Sequence, residues 1–220
     1  MNNFKAMKKI LSLLILVCIF LPSLVLAQEN ENEFKSIFKK KKNTNQVTHG
    51  GFGAFGAGYS EIDGRDALTL NLKGAWVINH NIALGLSGTA FFNNLDKAAG
   101  GNQDYLGGGY GGFFFQPILF PQWPVHITFP VVLGGGAIST IPQNYWDWTG
   151  PVPGQDYDVF FVVEPGVEIE LNMARFFRMG LGATYRYTNG VVLSYPDGTQ
   201  VPLRALDGFN FHVNFKFGKF

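Results

Sequence analysis

The 220-residue sequence predicts an all-β chain, an eight-stranded antiparallel transmembrane up-and-down β-barrel preceded by a cleaved signal peptide. Three observations predict it. An apolar N-terminal run follows a cluster of lysines; apolar residues recur at every second position from His49 onward; and short links alternate with long ones between the segments of that period. Composition agrees. Charged residues make up only 15%, no more than the aromatics at 15%, and there are 28 glycines, as suits a chain whose outer surface meets lipid. A net charge of +1 gives no reason to expect a nucleic-acid partner.

The N-terminal segment comes first. Lys5, Lys8 and Lys9 form a positive region, residues 10–27 are almost wholly apolar, and Val25-Leu26-Ala27 offers small residues for cleavage. Pro22 and the polar QENEN that follows favour a cleaved signal peptide over 1–27, with Gln28 opening the mature chain. Cys18 lies inside the apolar run, so the mature part has no cysteine for a disulfide or a thiolate metal site. Residues 28–48 form a polar N-terminal tail with a lysine run, Lys39 to Lys42. Phe34, Ile37 and Phe38 stand at helical spacing within it, so the tail reads either as disordered or as a short interfacial helix. No later stretch reaches the ~18 apolar residues of a membrane helix, and closed β-structure is the other way to satisfy a backbone in lipid.

The barrel occupies 49–220. In 68–78, Leu68, Leu70, Leu72 and Trp76 alternate with Thr69, Asn71, Lys73 and Ala75. The same period runs through 82–92, through 125–133 (Val125, Ile127, Phe129, Val131, Leu133) and through 157–171, where Val167, Ile169 and Leu171 alternate with Glu168 and Glu170. It continues in 177–187 and in 209–217. Two Gly-rich segments, 50–60 and 105–116, supply the remaining strands that a count of eight needs.

Links around Asn79-His80, Leu119 to Trp123 and Asn172-Met173-Ala174 are short, whereas those after the third, fifth and seventh strands run to a dozen residues or more. That alternation is the layout of outer-membrane barrels, with short turns and both termini in the periplasm of a Gram-negative cell. A soluble ligand-binding barrel would put its bulky apolar face inside. Here one face is crowded with Phe, Leu, Trp and Tyr and the other carries Gly, Ala, Ser, Thr and a few ions, and only the second fits the narrow interior of eight strands. Aromatics gather at strand ends (Trp76, Trp123 and Phe177 below; Tyr157, Tyr185, Tyr187 and Phe209 above), as an interfacial girdle requires.

At this point the chain resembles the small outer-membrane barrel proteins of the OmpA-transmembrane and OmpX type, over roughly residues 49 to 220. The hairpin FFVVEPGVEIELNMARFFRMGLGATYRYT, Phe160 to Thr188, is similar to one in uncharacterised outer-membrane β-barrel proteins of Bacteroidetes-type bacteria. The resemblance implies membrane lipid and lipopolysaccharide as surroundings and the barrel-assembly machinery as a partner. The chain ends in Phe220, one step out of register with the alternating Phe211, Phe215 and Phe217.

The residues that carry charge on the small face are Lys73, Glu164, Glu168, Glu170, Arg178, Arg186 and Lys216, joined by His126 and His212. A three-residue turn at 172–174 would set Glu168 opposite Arg178. Together Lys73, Glu164, Glu168, Arg178, Arg186 and Lys216 read as a polar network that either plugs the lumen or lines an ion path. No serine or carboxylate stands beside a histidine by sequence, and no metal-ligand spacing or phosphate loop is present, so the sequence offers no catalytic, cofactor or metal site. The loop segment with Tyr145, Trp146 and Trp148 among prolines is the candidate surface for an extracellular ligand or protein. The segment Val191 to Arg204 reads as a hairpin projecting above the membrane. The expected function is a non-enzymatic barrel that stabilises the envelope or presents loops for adhesion or recognition. The alternatives are a narrow OmpW-like channel and, less favoured by the residues, a lipid-A-modifying barrel enzyme.

Overall fold

The computed structural model describes residues 47–93, 105–141, 156–195 and 198–220. The expected signal peptide over 1–27, residues 28–46 of the expected polar tail and the Tyr145, Trp146 and Trp148 loop lie outside the described residues.

Among the described residues nine strands form one antiparallel sheet: β1 His49–Ile62, β2 Arg65–Ile78, β3 Ile82–Phe92, β4 Tyr105–Leu119, β5 Val125–Thr128, β6 Val131–Ile141, β7 Tyr157–Ala174, β8 Phe177–Thr188 and β9 Gly208–Lys219. The order β3-β2-β1-β9-β8-β7-β5-β4-β6 closes on itself through β3–β4 and β7–β6 pairing, so no edge is left open. β5 and β6 are two lengths of one stave, which makes the barrel eight-stranded. The interruption at Phe129-Pro130 follows from proline chemistry: Pro130 has no N–H to donate, although its carbonyl still accepts from Gly166 N at 2.8 Å.

Strand positions agree with the period-two reading, and β6 extends the fifth stave well past residue 133. The turn between β1 and β2 is a tight Asp63-Gly64 pair with φ of 56° and 69°, the primed hairpin geometry that Asp-Gly favours. Asn79 and His80 turn in the same left-handed region.

One register differs from the sequence expectation. β7 continues to Ala174 and turns at Arg175-Phe176, so Leu171 faces Met179 and Glu168 faces Gly182, not Arg178. Met173 is left unpaired in a bulge between Asn172 and Ala174. The displacement is an even number of residues, so every side chain keeps its face. The physical reason for this register is room. A Cβ on Gly180 would meet the Glu168 carboxylate, and one on Gly182 the His212 ring and then the Glu168 Cβ, so these side chains lie over two residues that lack one.

Outward positions are apolar and exposed, among them Leu72 (67%), Leu86, Phe113 (76%), Phe161, Leu181 and Phe211. Stripped of lipid, that band would be an insoluble surface. The interior differs from the simple small-and-polar expectation, because large aromatics also face inward. Phe52, Val77, Phe114 and Val132 form an apolar cluster toward the short-turn end, with Phe220 packed against it. A second cluster, including Ile62, Phe91, Leu106, Ile138, Phe160 and Val162, fills the opposite end. The ions lie between the two. The interior is therefore filled rather than open, as an eight-stranded barrel allows.

Candidate functional site

The ion layer is built by parity. Lys73 on β2, Gln116 on β4, His126 on β5, Glu168 and Glu170 on β7, Arg178 on β8 and His212, Asn214 and Lys216 on β9 all point inward and are buried. Lys216 is the hub: its Nζ lies 2.5 Å from Glu170 Oε1 and 3.1 Å from Glu168 Oε1. Lys73 approaches Glu168 at 4.0 Å, and Asn214 donates to the same carboxylate at 3.2 Å. Glu170 accepts from Gln116 Nε2 at 2.5 Å and lies 3.7 Å from Arg178 NH1. His126 Nε2 sits between those two, 3.1 Å from Glu170 Oε2 and 3.3 Å from Arg178 NH1.

The lower apolar cluster seats these cations on aromatic faces. Lys73 Nζ is 5.2 Å from the centroid of Phe114, Lys216 Nζ is 5.3 Å from that of Phe52, and Arg178 Cζ is 3.9 Å from that of Phe220. Desolvated cations gain more from a ring face than exposed ones do. Phe220 has the inward parity of Asn214 and Lys216, which is why it closes the barrel floor instead of joining Phe211 and Phe217 outside.

Glu164 and Arg186 stand higher and apart. Glu164 accepts from the Tyr110 hydroxyl at 2.7 Å, Thr184 Oγ1 at 2.5 Å and Asn210 Nδ2 at 3.4 Å. Arg186 donates from Nε to the Leu206 carbonyl at 2.5 Å and from NH2 to Ser60 Oγ at 3.3 Å.

Of the residues singled out from sequence, the structure brings Lys73, Glu168 and Lys216 into one cluster, with Arg178 joined to it through Glu170. The expected Glu168–Arg178 pair does not form, since the β7–β8 register carries Arg178 to Asn172 and its guanidinium to Glu170. Sequence reasoning gave Glu170 no more weight than its neighbours and passed over Gln116, Asn214 and Tyr110. Inward parity was the signal for all of them, but parity alone does not rank positions.

The connection between β8 and β9 corrects a second expectation. Its hairpin does not project. Val191, Leu193, Tyr195, Val201 and Leu206 are buried in the upper apolar cluster, so it folds over the mouth of the barrel. The alternating apolar residues Val191, Leu193 and Tyr195 are the cause, because one face of the hairpin has to leave water. Tyr195 donates to Asp63 Oδ2 at 2.6 Å, and burial together with that carboxylate pushes its hydroxyl pKa well above the tyrosine range.

A closed ring of eight staves, apolar outside and filled with ions and aromatics inside, defines the architecture of a small outer-membrane β-barrel. The chain is similar in fold to the crystal structure of Neisserial surface protein A, at a TM-score of 0.55 and 9% identity, covering 80% of this chain and 100% of that one. It also matches the N-terminal β-barrel domain of Pseudomonas aeruginosa OprF (TM-score 0.44, 10% identity, 79% of this chain and 99% of that one). The third match is Ail, the attachment invasion locus protein of Yersinia pestis (TM-score 0.44, 11% identity, 77% of this chain and 98% of that one). No family model matches the chain, and no curated protein matches its sequence.

Proposed function

We propose that this chain is a plugged, non-enzymatic outer-membrane barrel that stabilises a Gram-negative envelope or presents outer loops for adhesion or recognition. In this reading residues 1–27 are a signal peptide, 28–48 a periplasmic tail and 49–220 the barrel, with both termini and the short turns in the periplasm. Its surroundings are outer-membrane lipid and lipopolysaccharide, and the barrel-assembly machinery inserts it. The loop carrying Tyr145, Trp146 and Trp148 would meet an extracellular ligand or protein.

One observation carries the proposal: the Glu168–Glu170–Lys216 cluster is packed between two apolar layers. An ion path needs hydrated groups in continuous reach of both ends, whereas Glu168 (0% exposed) and Lys216 (1% exposed) are spent on each other. Planar-bilayer recording of the refolded protein tests it. The expected trace is flat; stable open steps from the wild-type barrel would replace this reading with a channel.

A further inference from the structure

Arg186 is fully buried (0% exposed), and among the described residues no carboxylate lies within ion-pair distance of it. Its NH1 has no hydrogen-bond partner among the described residues. Two of its contacts are to uncharged oxygens, Leu206 O and Ser60 Oγ, and its Cζ stands 5.7 Å and 5.8 Å from the rings of Phe91 and Tyr110. A buried guanidinium without a counter-charge is costly unless something repays its desolvation. Elsewhere in this lumen each cation has an acid within 4.0 Å. Glu164, the nearby acid, is instead supplied by three neutral donors.

Above Arg186 the staves form a cup lined by Phe91, Leu106, Tyr110, Ile138, Phe160 and Val162. The cover of that cup is not part of the wall. It is the β8–β9 connection, described at 189–195 and 198–207, a hairpin paired within itself by the bridge Ser194↔Gln200 and by backbone bonds from Val191 N to Leu203 O, Val201 N to Leu193 O and Tyr195 N to Thr199 O. Rim carboxylates hold it: Asp158 Oδ2 accepts from Val192 N at 2.7 Å, Asp156 Oδ2 from Ser194 N at 2.9 Å, and Asp63 Oδ2 from the Tyr195 hydroxyl. The covering segment fills the cup with its own apolar side chains and places a backbone carbonyl, that of Leu206, on the guanidinium. It thus occupies the cup as an amphiphile would, apolar body against the rings and oxygen on Arg186, but without the negative charge.

We propose that the cup is a lid-covered binding site for an anionic amphiphile, a medium-chain monocarboxylate whose head takes Arg186 while its chain replaces the Val191, Leu193 and Val201 side chains. A carboxylate supplies the counter-charge that the Leu206 carbonyl lacks, adding to the hydrogen bond a Coulombic attraction that is strong where water is excluded. The lid exacts a conformational tax on affinity, because only the open fraction binds. This goes beyond the proposed envelope role and stands or falls separately, since a barrel that binds no carboxylate is still free to be non-conducting.

The test uses the full mature chain in nanodiscs, with 8-fluorooctanoate observed by fluorine NMR and empty nanodiscs correcting for partition into lipid. Saturable binding is expected for fluorooctanoate and not for 8-fluorooctanol or octylammonium competitors. Arg186→Gln should weaken binding tenfold or more. The rim double variant Asp156→Asn with Asp158→Asn leaves the cup intact and should tighten binding, because it loosens the lid. Binding no greater than that of empty nanodiscs, equal uptake of the alcohol, or full affinity in Arg186→Gln overturns the site. Should Arg186→Gln fail to fold, as seen by loss of heat-modifiable migration on a gel, the rim variant decides: unchanged or weaker affinity there overturns the proposal.

Discussion

Lys216→Met removes the ammonium that two buried carboxylates share. In the folded barrel Glu170 keeps Arg178 at 3.7 Å, His126 at 3.1 Å and the Gln116 amide at 2.5 Å. Glu168 is left with longer contacts, Lys73 at 4.0 Å, His212 Nε2 at 3.7 Å and the Asn214 amide at 3.2 Å. The loss therefore falls mainly on Glu168, and breaking a buried pair in this way should cost about 3–5 kcal/mol. Glu168→Gln alone leaves Lys216 its contact with Glu170 and should cost less. Combining the two removes the orphaned charge, so the double variant should be more stable than the sum of the singles implies, by roughly 1–3 kcal/mol of coupling. Urea unfolding and refolding in lipid vesicles gives all four corners of the cycle. The companion cycle on Glu168 with Arg178 should couple more weakly, because that pair does not form. Coupling near zero for Glu168–Lys216, or stronger coupling for Glu168–Arg178, would refute the ion layer described above.

Further outcomes follow from the faces of the strands. Leu181→Arg places a charge on the lipid side and should cost about 2–4 kcal/mol if it lies near the midplane, whereas Thr199→Arg in the β8–β9 connection should be nearly neutral by the same urea assay. Gly180→Ala drives a methyl group into the Glu168 carboxylate and should cost about 1–3 kcal/mol, while Gly88→Ala, whose added Cβ meets nothing within 4 Å, should be tolerated. Cysteines placed at Gly101, Gly150 or Gly198 should react with an impermeant maleimide on intact cells, and labelling only after permeabilisation would invert the topology.

The sequence by itself determined where the strands run and, in the six segments of clear alternation, which face meets lipid and which residues enter the lumen. All three depend on a period of two, and that period survives any even slip of register. Lys73, Glu168, Arg178 and Lys216 were therefore legible as inward residues before any partner was known. Their partners were not legible. Whether Glu168 faces Arg178 or Gly182 depends on one bulged residue, Met173, and on two glycines that leave space for the Glu168 and His212 side chains; neither is a local preference that a sequence displays. The closure of the mouth was hidden for a related reason. Val191, Leu193 and Tyr195 announce a face that must be buried, but only the tertiary structure decides what buries it. Here the answer is the barrel's own aromatic cup, because a ring of eight staves leaves a mouth that one hairpin can cover. Arg186 without a counter-charge belongs to the same class of fact. Solitude in a lumen is a property of three-dimensional distance, and no spacing along the chain records it.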